Sequence, residues 1–416
     1  MKPRHLLLPS AFLLPTVLCA VTPKDLVDHA LSTNPEIRYY EAEIAAAKGG
    51  RRAAGQIANP ELSVDAARGS AWDLRTGEKE GDGPVWKATI MQTFDFPGRI
   101  PLRKAIADRD VALAELGLAQ FKSQLANEVR ARAGDVTLLR RLESAARAVR
   151  KRFEELIGVL MQRDTGTVSA KLERRILEAS LLTSDRELTD AGKEAKSAAA
   201  ALNVLCGYDP DRPLNLDDDA VPAFPGTPSL DSLKTQAAHS NFDLQQKRLQ
   251  MARQGLKIDL TKSERWGKIS FGPYVQGYRV DEKEKEAGVV LSVPLPLWNR
   301  NKGGIAAEEA RLSQAEALMF ATLRDLERDL AIERSAYASE LEALSRWKPE
   351  SEKEFRDAAE EADRHYRLGA VPISTYVEMQ RQYLEAMRAL IQTRRNAWKH
   401  LMSMARLVGE WPEVKR

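Results

Sequence analysis

The chain has 416 residues, of which 30% are charged and only 6% are aromatic, and its formal net charge is +3. This composition is typical of a helix-rich protein with a sizeable core, and it excludes disulfide-stapled and disordered classes. The nearly balanced charge gives no support to nucleic-acid binding, so we predict no nucleic-acid partner.

The N-terminus has the pattern of an export signal. Lys2 and Arg4 supply positive charge, and an apolar stretch from Leu6 to Leu18 follows them. This stretch is shorter than the roughly 20 residues that a membrane-spanning helix needs. We therefore predict a signal peptide over residues 1–20.

The two cysteines raise different questions. Cys19 suggests a second hypothesis for the N-terminus, a lipoprotein anchor, although Leu18 fits that processing site poorly. Cys206 then has no partner for an internal disulfide. We predict that it is a small buried hydrophobe.

The rest of the chain is an internal repeat. The first copy covers residues 21–206 and the second covers 229–408, with a C-terminal tail at 409–416. Residues 207–228 are rich in Pro, Gly and Asp, which predicts a linker over the surface. Each copy is predicted to form a helix, two strands, a very long helix, a turn and a further helix.

Each copy contains one predicted pair of strands. The pairs lie near 59–67 and 85–95, and near 268–280 and 287–296. Apolar and polar residues alternate over about ten positions, as in a membrane barrel strand. The same alternation fits a half-buried soluble sheet, so the pattern alone leaves both interpretations open.

Three tryptophans lie at the ends of these strands, namely Trp86, Trp266 and Trp298. Aromatic residues at strand ends suit the two membrane interfaces, and ordinary core packing is the alternative. Four strands cannot close a barrel, and open strand edges in lipid would leave backbone groups unsatisfied. If the strands span a membrane, several chains must each contribute four of them.

A very long helix follows each strand pair, from about 101 to 162 and from about 302 to 367. Such a helix extends for roughly 90 Å and carries a seven-residue apolar period, which predicts coiled-coil packing. The alternative interpretation of the two helices is a structural coiled coil in the cytosol. The apolar rows of the first copy comprise Leu118, Leu125, Leu139, Ala146, Phe153, Leu160, Leu142, Val149 and Leu156. Those of the second copy comprise Ile305, Leu312, Met319, Leu326, Leu323, Leu330, Tyr337 and Leu344.

The duplicated layout, the run Val293-Pro294-Leu295-Pro296-Leu297-Trp298-Asn299-Arg300 and the turn Tyr366-Arg367-Leu368-Gly369 together resemble the TolC family of outer-membrane factors. The similarity covers essentially the whole mature chain. The resemblance implies a mainly α protein with a small β part that forms a homotrimer. Its long α-helical barrel would extend into the periplasm, and a 12-stranded transmembrane β-barrel, with four strands per chain, would lie in the outer membrane of a Gram-negative-type cell.

The resemblance also implies a function, the outer-membrane channel of a tripartite efflux system. Its expected partners are a periplasmic adaptor (membrane fusion protein), an inner-membrane pump of RND or ABC type, and outer-membrane lipid. The compact length suggests the heavy-metal efflux subgroup. We expect no enzyme activity, cofactor or metal site, because the histidines are dispersed. The alternative is a periplasmic adaptor-like coiled-coil assembly protein, although adaptors usually carry one helical hairpin.

The family's hairpin tips face the adaptor and constrict the tunnel. A tyrosine gates the family's channel, and Tyr366 matches it. TolC itself has aspartates at the positions of Thr375 and Glu378, so only Glu378 keeps an acidic side chain here. Val371 stands where TolC has an arginine. Three Glu378 carboxylates could favour cations, and a solvated helix-face charge is the alternative. The expected tip residues are Thr165, Gly166, Thr167, Val168, Arg367, Leu368, Gly369, Ala370 and Val371.

Overall fold

A computed structural model of the protein describes residues 21–161, 168–216, 221, 223–279, 283–348 and 350–409. The predicted signal peptide with Cys19, and the tip residues Thr165, Gly166 and Thr167, lie outside the described residues.

The described elements follow the predicted order of helices and strands. The first copy contains α1 (Pro23–Thr33), α2 (Glu36–Ala54), β1 (Glu61–Trp72), β2 (Lys79–Phe94), α3 (Arg99–Met161) and α4 (Val168–Leu205). The second contains α5 (Leu230–Ser240), α6 (Phe242–Ser263), β3 (Ile269–Arg279), β4 (Lys283–Ser292), α7 (Lys302–Ser345), α8 (Ser351–Arg367) and α9 (Ile373–Val408). The predicted mainly α class with a small β part is confirmed.

Three details differ from the sequence prediction. Each copy opens with two helices instead of one. The predicted single helix over 302–367 is wrong, because α7 ends at Ser345 and α8 begins at Ser351. The sequence has Pro349 between them, and a proline disfavours helical backbone at the residue before it. The strands also extend further towards their hairpin turns than predicted, with β1 reaching Trp72 and β2 beginning at Lys79.

The described residues form two compact units. Of the described residues, those within 21–34, 122–233 and 330–409 form the first unit, and those within 35–121 and 234–329 form the second. Helices α3 and α7 therefore contribute one part to each unit. The four strands all belong to the second unit.

The core of the first unit confirms the coiled-coil prediction. The predicted apolar rows of α3 are buried from Leu125 to Leu156 and half-buried at Leu118 and Leu160, and the core that they join includes residues of α4 and α9. Tyr337 and Leu330 of α7 are fully buried. Cys206 is also fully buried, as predicted, and its burial raises the pKa of the thiol to about 11. Apolar burial on this scale is the main source of stability in a helical coil.

The predicted linker is only partly a surface loop. Leu214 and Leu216 are buried, and the backbone N–H of Val21 donates to the carbonyl of Asn215 at 2.8 Å. Tyr208 stacks on His29 of α1 with ring centroids 4.3 Å apart. The start of the linker therefore holds α1 in the first unit, which the Pro, Gly and Asp content did not indicate.

Helices α3 and α9 approach closely at Gly134. The Trp398 indole N–H donates to the carbonyl of Ala131 at 3.0 Å, and its ring covers Gly134. A Cβ at Gly134 would lie 2.4 Å from Nε1 of Trp398. The contact therefore requires glycine, although glycine is unfavourable inside a helix.

We expect Gly134→Ala to destabilise the first unit by about 1–3 kcal/mol, because the added methyl group displaces the indole. Gly158→Ala in the same helix is the matched control, since a Cβ there meets nothing within 4 Å. The control should stabilise the protein by about 0.5–1 kcal/mol through helix propensity. Thermal unfolding followed by circular dichroism measures both, and equal stability of the two variants would contradict the close contact.

Candidate functional site

The four strands form one antiparallel sheet in the order β1-β2-β3-β4. Leu62 pairs with Ile90, and Phe271 pairs with Leu291. Because directly paired residues share a face and residues two apart along a strand do too, the register defines two faces. β1 and β4 are the edges of this sheet, and each has one side without a partner strand among the described residues.

One face of the sheet is apolar and largely exposed in the single chain. Val64 is 66% exposed, Val289 is 67% exposed and Leu291 is 66% exposed. We call this surface the apolar face. Its apolar members are Leu62, Val64, Ala66, Trp86, Ala88, Ile90, Phe94, Ile269, Phe271, Pro273, Val275, Ala287, Val289 and Leu291, and the polar Gln92, paired with Phe271, lies on the same face.

The opposite face is polar and internally hydrogen-bonded. The Tyr274 hydroxyl donates to the carboxylate of Glu286 at 2.6 Å, and the Gln276 amide donates to the same carboxylate. The Lys87 ammonium lies 4.9 Å from the centroid of the Tyr274 ring. We call this surface the polar face. An apolar face backed by a polar one is the pattern of strands that separate lipid from an aqueous lumen.

Two glycines allow the sheet to pack this closely. A Cβ at Gly272 would lie 1.8 Å from the carbonyl oxygen of Ile90 on β2. A Cβ at Gly277 would lie 2.7 Å from Nε1 of Trp86, so the Trp86 ring lies over Gly277 on the apolar face. A strand glycine marks such an approach of a ring or a backbone.

The three predicted interface tryptophans are all exposed. Trp86 is 43% exposed within β2, Trp266 is 39% exposed just before β3, and Trp298 is 93% exposed between β4 and α7. Trp266 stacks on Phe96 with ring centroids 5.5 Å apart. Trp266, Phe96 and Trp298 therefore lie where the strands meet the helices, whereas Trp86 lies eight residues away from Phe94 along β2.

A buried arginine joins the sheet end to the helices. Arg99, at the start of α3, is only 6% exposed, and its Nη2 donates to the carbonyls of Ser263 and Trp266 at 2.9 and 3.0 Å. It thereby satisfies the carbonyl of Ser263, the last residue of α6, and the carbonyl of Trp266 in the loop before β3. Arg99 and Arg300 occupy corresponding positions after the second strand of each copy. The two arginines differ in environment, since Arg99 is buried and Arg300 is exposed.

The end of the α8–α9 hairpin lies in the first unit. The chain turns at Gly369, whose φ of +74° is in the left-handed region that favours glycine. A cavity of about 530 Å³ lies beside the turn, lined by residues that include Leu160, Glu173, Tyr366 and Pro372. The predicted tip residues Arg367, Leu368, Gly369 and Ala370 are exposed around it, and Val371 is half-buried. Leu368 is 74% exposed and Val168, at the start of α4, is 73% exposed.

Tyr366 faces inward, towards α4 and α9. Its hydroxyl donates to the Glu173 carboxylate at 3.4 Å, and its ring stacks on Tyr376 with centroids 5.3 Å apart. Tyr376 is fully buried, which raises the pKa of its phenol, and the Asp363 carboxylate raises it further. The predicted gate tyrosine therefore links α8 to α4 and α9.

Thr375 and Glu378 are not joined to Tyr366. Both are exposed on α9, and Glu378 accepts hydrogen bonds from Gln382 at 2.7 Å and Arg381 at 3.0 Å. These bonds lower the pKa of the Glu378 carboxyl, Gln382 contributing most. The three predicted gate residues therefore divide into one inward-facing aromatic residue and two residues on an exposed helix face.

A polar network that the sequence did not reveal holds the hairpin to α3. Gln380 is fully buried; it donates to the carbonyl of Ala359 on α8 at 2.7 Å and accepts from Arg152 of α3 at 3.1 Å. Arg152 also binds Glu360 at 3.0 Å. Near the turn, Arg367 of α8 binds Asp363 at 2.8 Å. Glutamine in an apolar helix pattern gives no signal that it is buried, so these links required the tertiary structure.

Two features are absent from the described residues. Across those ranges, no helix is both long and apolar enough to cross a membrane. In the same part of the chain, no group of three or more His, Cys, Asp or Glu residues is arranged to hold a metal ion.

Comparisons with known proteins add a family and a fold. Residues 232–410 match the family model described as outer membrane efflux protein. The outer-membrane channel OprN is similar at a TM-score of 0.70 and 17% identity, with 93% of this chain and 89% of that chain covered. The Campylobacter jejuni CmeC outer membrane channel has a TM-score of 0.67 and 14% identity, with 94% of this chain and 87% of that chain covered. The open-state Neisseria gonorrhoeae MtrE outer membrane channel has a TM-score of 0.69 and 14% identity, with 93% of this chain and 89% of that chain covered. No curated protein sequence matches the chain.

The protein therefore has the fold of an outer-membrane channel. Residues 232–410 carry the outer membrane efflux protein domain, which supports the predicted resemblance to the TolC family of outer-membrane factors and the predicted outer-membrane localisation. The heavy-metal subgroup stays a prediction.

We expect Gln380→Leu to destabilise the α8–α9 hairpin by about 2 kcal/mol, because a buried carbonyl and a guanidinium lose their partner. Gln382→Leu, two residues away on the exposed face of α9, is the control and should change stability by less than about 0.5 kcal/mol. Hydrogen exchange of the α8 amides measures the local effect. Equal exchange in the two variants would show that the buried network does not hold α8.

Proposed function

We propose that three copies of this chain form the outer-membrane duct of a tripartite efflux system. In this proposal each chain contributes four strands to a shared 12-stranded barrel, and the helices form a periplasmic tunnel. The observation that carries the proposal is the four-stranded sheet with an exposed apolar face and two edges without a partner strand. Such a sheet is stable in lipid only when its edges pair with other strands.

The length of the apolar face supports a membrane-spanning role. On β2 it extends from Trp86 to Phe94, which is nine residues, and a tilted transmembrane strand needs about 9–11. We place Trp86 at one membrane interface and Trp266 and Trp298 at the other, since tryptophan is enriched at both. The polar face would then line the lumen.

The duct has no energy source of its own in this proposal. A periplasmic adaptor and an inner-membrane pump, of RND or ABC type, supply substrate and work. The exposed apolar side chains at the hairpin ends, Leu368 and Val168, support docking of an adaptor there. Export through the signal peptide at residues 1–20 delivers the chain to the periplasm.

We further propose that the α8–α9 hairpin controls the tunnel. Tyr366 links α8 to Glu173 of α4, so loss of this link would let the hairpins move apart. The exposed Glu378 side chains of three copies would give the passage a negative ring that favours cations. Thr375 lies on the same exposed face of α9.

A pair of variants on adjacent residues of β4 tests the shared barrel. Val289 lies on the apolar face midway along the strands, and Val290 lies on the polar face. Val289→Arg should reduce the outer-membrane oligomer strongly, because arginine at the bilayer midplane costs about 2–4 kcal/mol per strand. Val290→Arg should leave it intact, since its side chain faces water.

Heat-modifiable gel migration of extracted outer membranes measures the outcome. Unheated wild-type protein should migrate near three times the protomer mass. A wild-type monomer, or equal tolerance of both arginines, would contradict a lipid-facing apolar face in a shared barrel.

A second experiment tests the docking role of the hairpin end. Leu368→Glu should abolish cross-linking to the adaptor from a photoreactive residue at position 370 without changing the trimer, because a charge replaces an exposed apolar contact. Lys353→Glu, at an exposed position near the start of α8, is the control and should keep the cross-link. An unchanged cross-link in the Leu368 variant would place adaptor docking elsewhere.

A further inference from the structure

Positive side chains are concentrated at one end of the apolar face. In the row that contains Trp86, the paired residues include Lys285 of β4, opposite Gly277. In the next row Arg68 pairs with Pro84, and Arg279 pairs with Lys283. We call Arg68, Arg279, Lys283 and Lys285 the basic rim. All four side chains are exposed, and all four share the face of the lipid-facing residues.

The basic rim lies at the end of the sheet remote from the helices of the second unit. Each strand joins a helix at one end, and the β1–β2 and β3–β4 turns lie at the other end. Along β4, Lys283 is six residues beyond Val289, which is roughly 20 Å of extended chain from the middle of the apolar face. If Trp86 marks the membrane interface, the basic rim lies at the level of lipid head groups.

Charges of opposite sign are separated between the two faces. The sequence Lys283-Glu284-Lys285-Glu286 alternates, so its lysines lie on the apolar face and its glutamates on the polar face. Glu286 confirms this assignment, because it accepts hydrogen bonds from Tyr274 and Gln276 on the polar face. The lysines therefore cannot be neutralised by the glutamates beside them in the chain.

An acidic residue at this end pairs with Arg68 but leaves the other three members of the basic rim without a carboxylate partner among the described residues. Asp82 shares the outward face and binds Arg68 at 2.9 Å and Lys79 at 3.5 Å. Among the described residues, no ion pair joins Arg279, Lys283 or Lys285 to a carboxylate. Clustered like charges on one sheet face repel each other, so this arrangement favours an external anion.

We infer that the basic rim binds the phosphate groups of a phosphorylated glycolipid in the outer leaflet, whose acyl chains lie along the apolar face. The inference rests on the proposed function, because it requires the apolar face to be in lipid with the β-hairpin turns outward. Phosphate suits the site because arginine and lysine bind its oxygens with charge-assisted hydrogen bonds. The adjoining apolar band adds contact with acyl chains, which a free phosphate ion lacks.

Binding to the purified full-length oligomer in detergent tests the inference. The probe is a lipid A that carries two phosphates, and the same lipid after dephosphorylation is the control ligand. We expect the phosphorylated lipid to bind at least tenfold more tightly, and its affinity to fall as salt is raised. Equal affinity for the two lipids would overturn the inference.

Matched variants locate the site on the outward face. Lys285→Gln should weaken binding about fivefold, and Lys283→Gln combined with Lys285→Gln should weaken it more than tenfold. Lys87→Gln removes the same charge from the polar face of the same sheet and should leave the affinity unchanged. An equal loss in the Lys87 variant would show a general charge effect and overturn the assignment to the basic rim.

Two further outcomes are distinguishable. Displacement of the lipid by millimolar inorganic phosphate would show a simple anion site and contradict a lipid site. Wild-type protein that is extracted only as a monomer, or from outside the outer membrane, would contradict the proposed function itself. A normal oligomer without phosphate-dependent binding would contradict the further inference alone.

Discussion

The apolar face of the sheet, together with its two unpaired edges, imposes a condition that one chain cannot meet. Valine and leucine side chains that are two-thirds exposed, such as Val64 and Leu291, have no covering element in the described part of the chain. Unpaired strand edges carry free backbone donors and acceptors, which lipid cannot satisfy. Lipid on the face and neighbouring copies at the edges meet both requirements at once, and for this reason the sheet is central to the proposed duct.

The two copies of the repeat share a layout but have different contacts. Arg99 is buried and binds the carbonyls of Ser263 and Trp266, whereas Arg300 at the corresponding place is exposed. Helix α3 is continuous over 63 residues, whereas its counterpart is divided into α7 and α8. Gln380 of α9 donates a hydrogen bond to α8 and accepts one from Arg152 of α3. These bonds hold the separate helix α8 of the second copy to α9 and α3.

Strand periodicity also organises the charges. With side chains alternating at every residue, Lys283-Glu284-Lys285-Glu286 directs its cations to one face and its carboxylates to the other. The carboxylate of Glu286 accepts hydrogen bonds within the sheet, from Tyr274 and Gln276. The lysine side chains keep their charge beside an apolar surface, which is where head groups of an anionic lipid would lie.

The sequence by itself determined the duplicated order of helices and strands, the apolar rows of α3 and the burial of Cys206. The order of elements and the apolar rows follow from local periods, because residues at seven- or two-residue spacing share a face whatever the rest of the chain does. The burial of Cys206 was inferred from its lack of a disulfide partner. Strand alternation left the membrane and the soluble sheet equally open, since both have one apolar face. Only the tertiary structure showed that no element of the described ranges covers this face, because such a contact depends on elements distant in sequence. The same reason applies to Arg99 and Gln380, whose partners lie 164 and 228 residues away, and to the inward position of Tyr366 against Glu173. No local pattern specifies a hydrogen bond between residues so far apart.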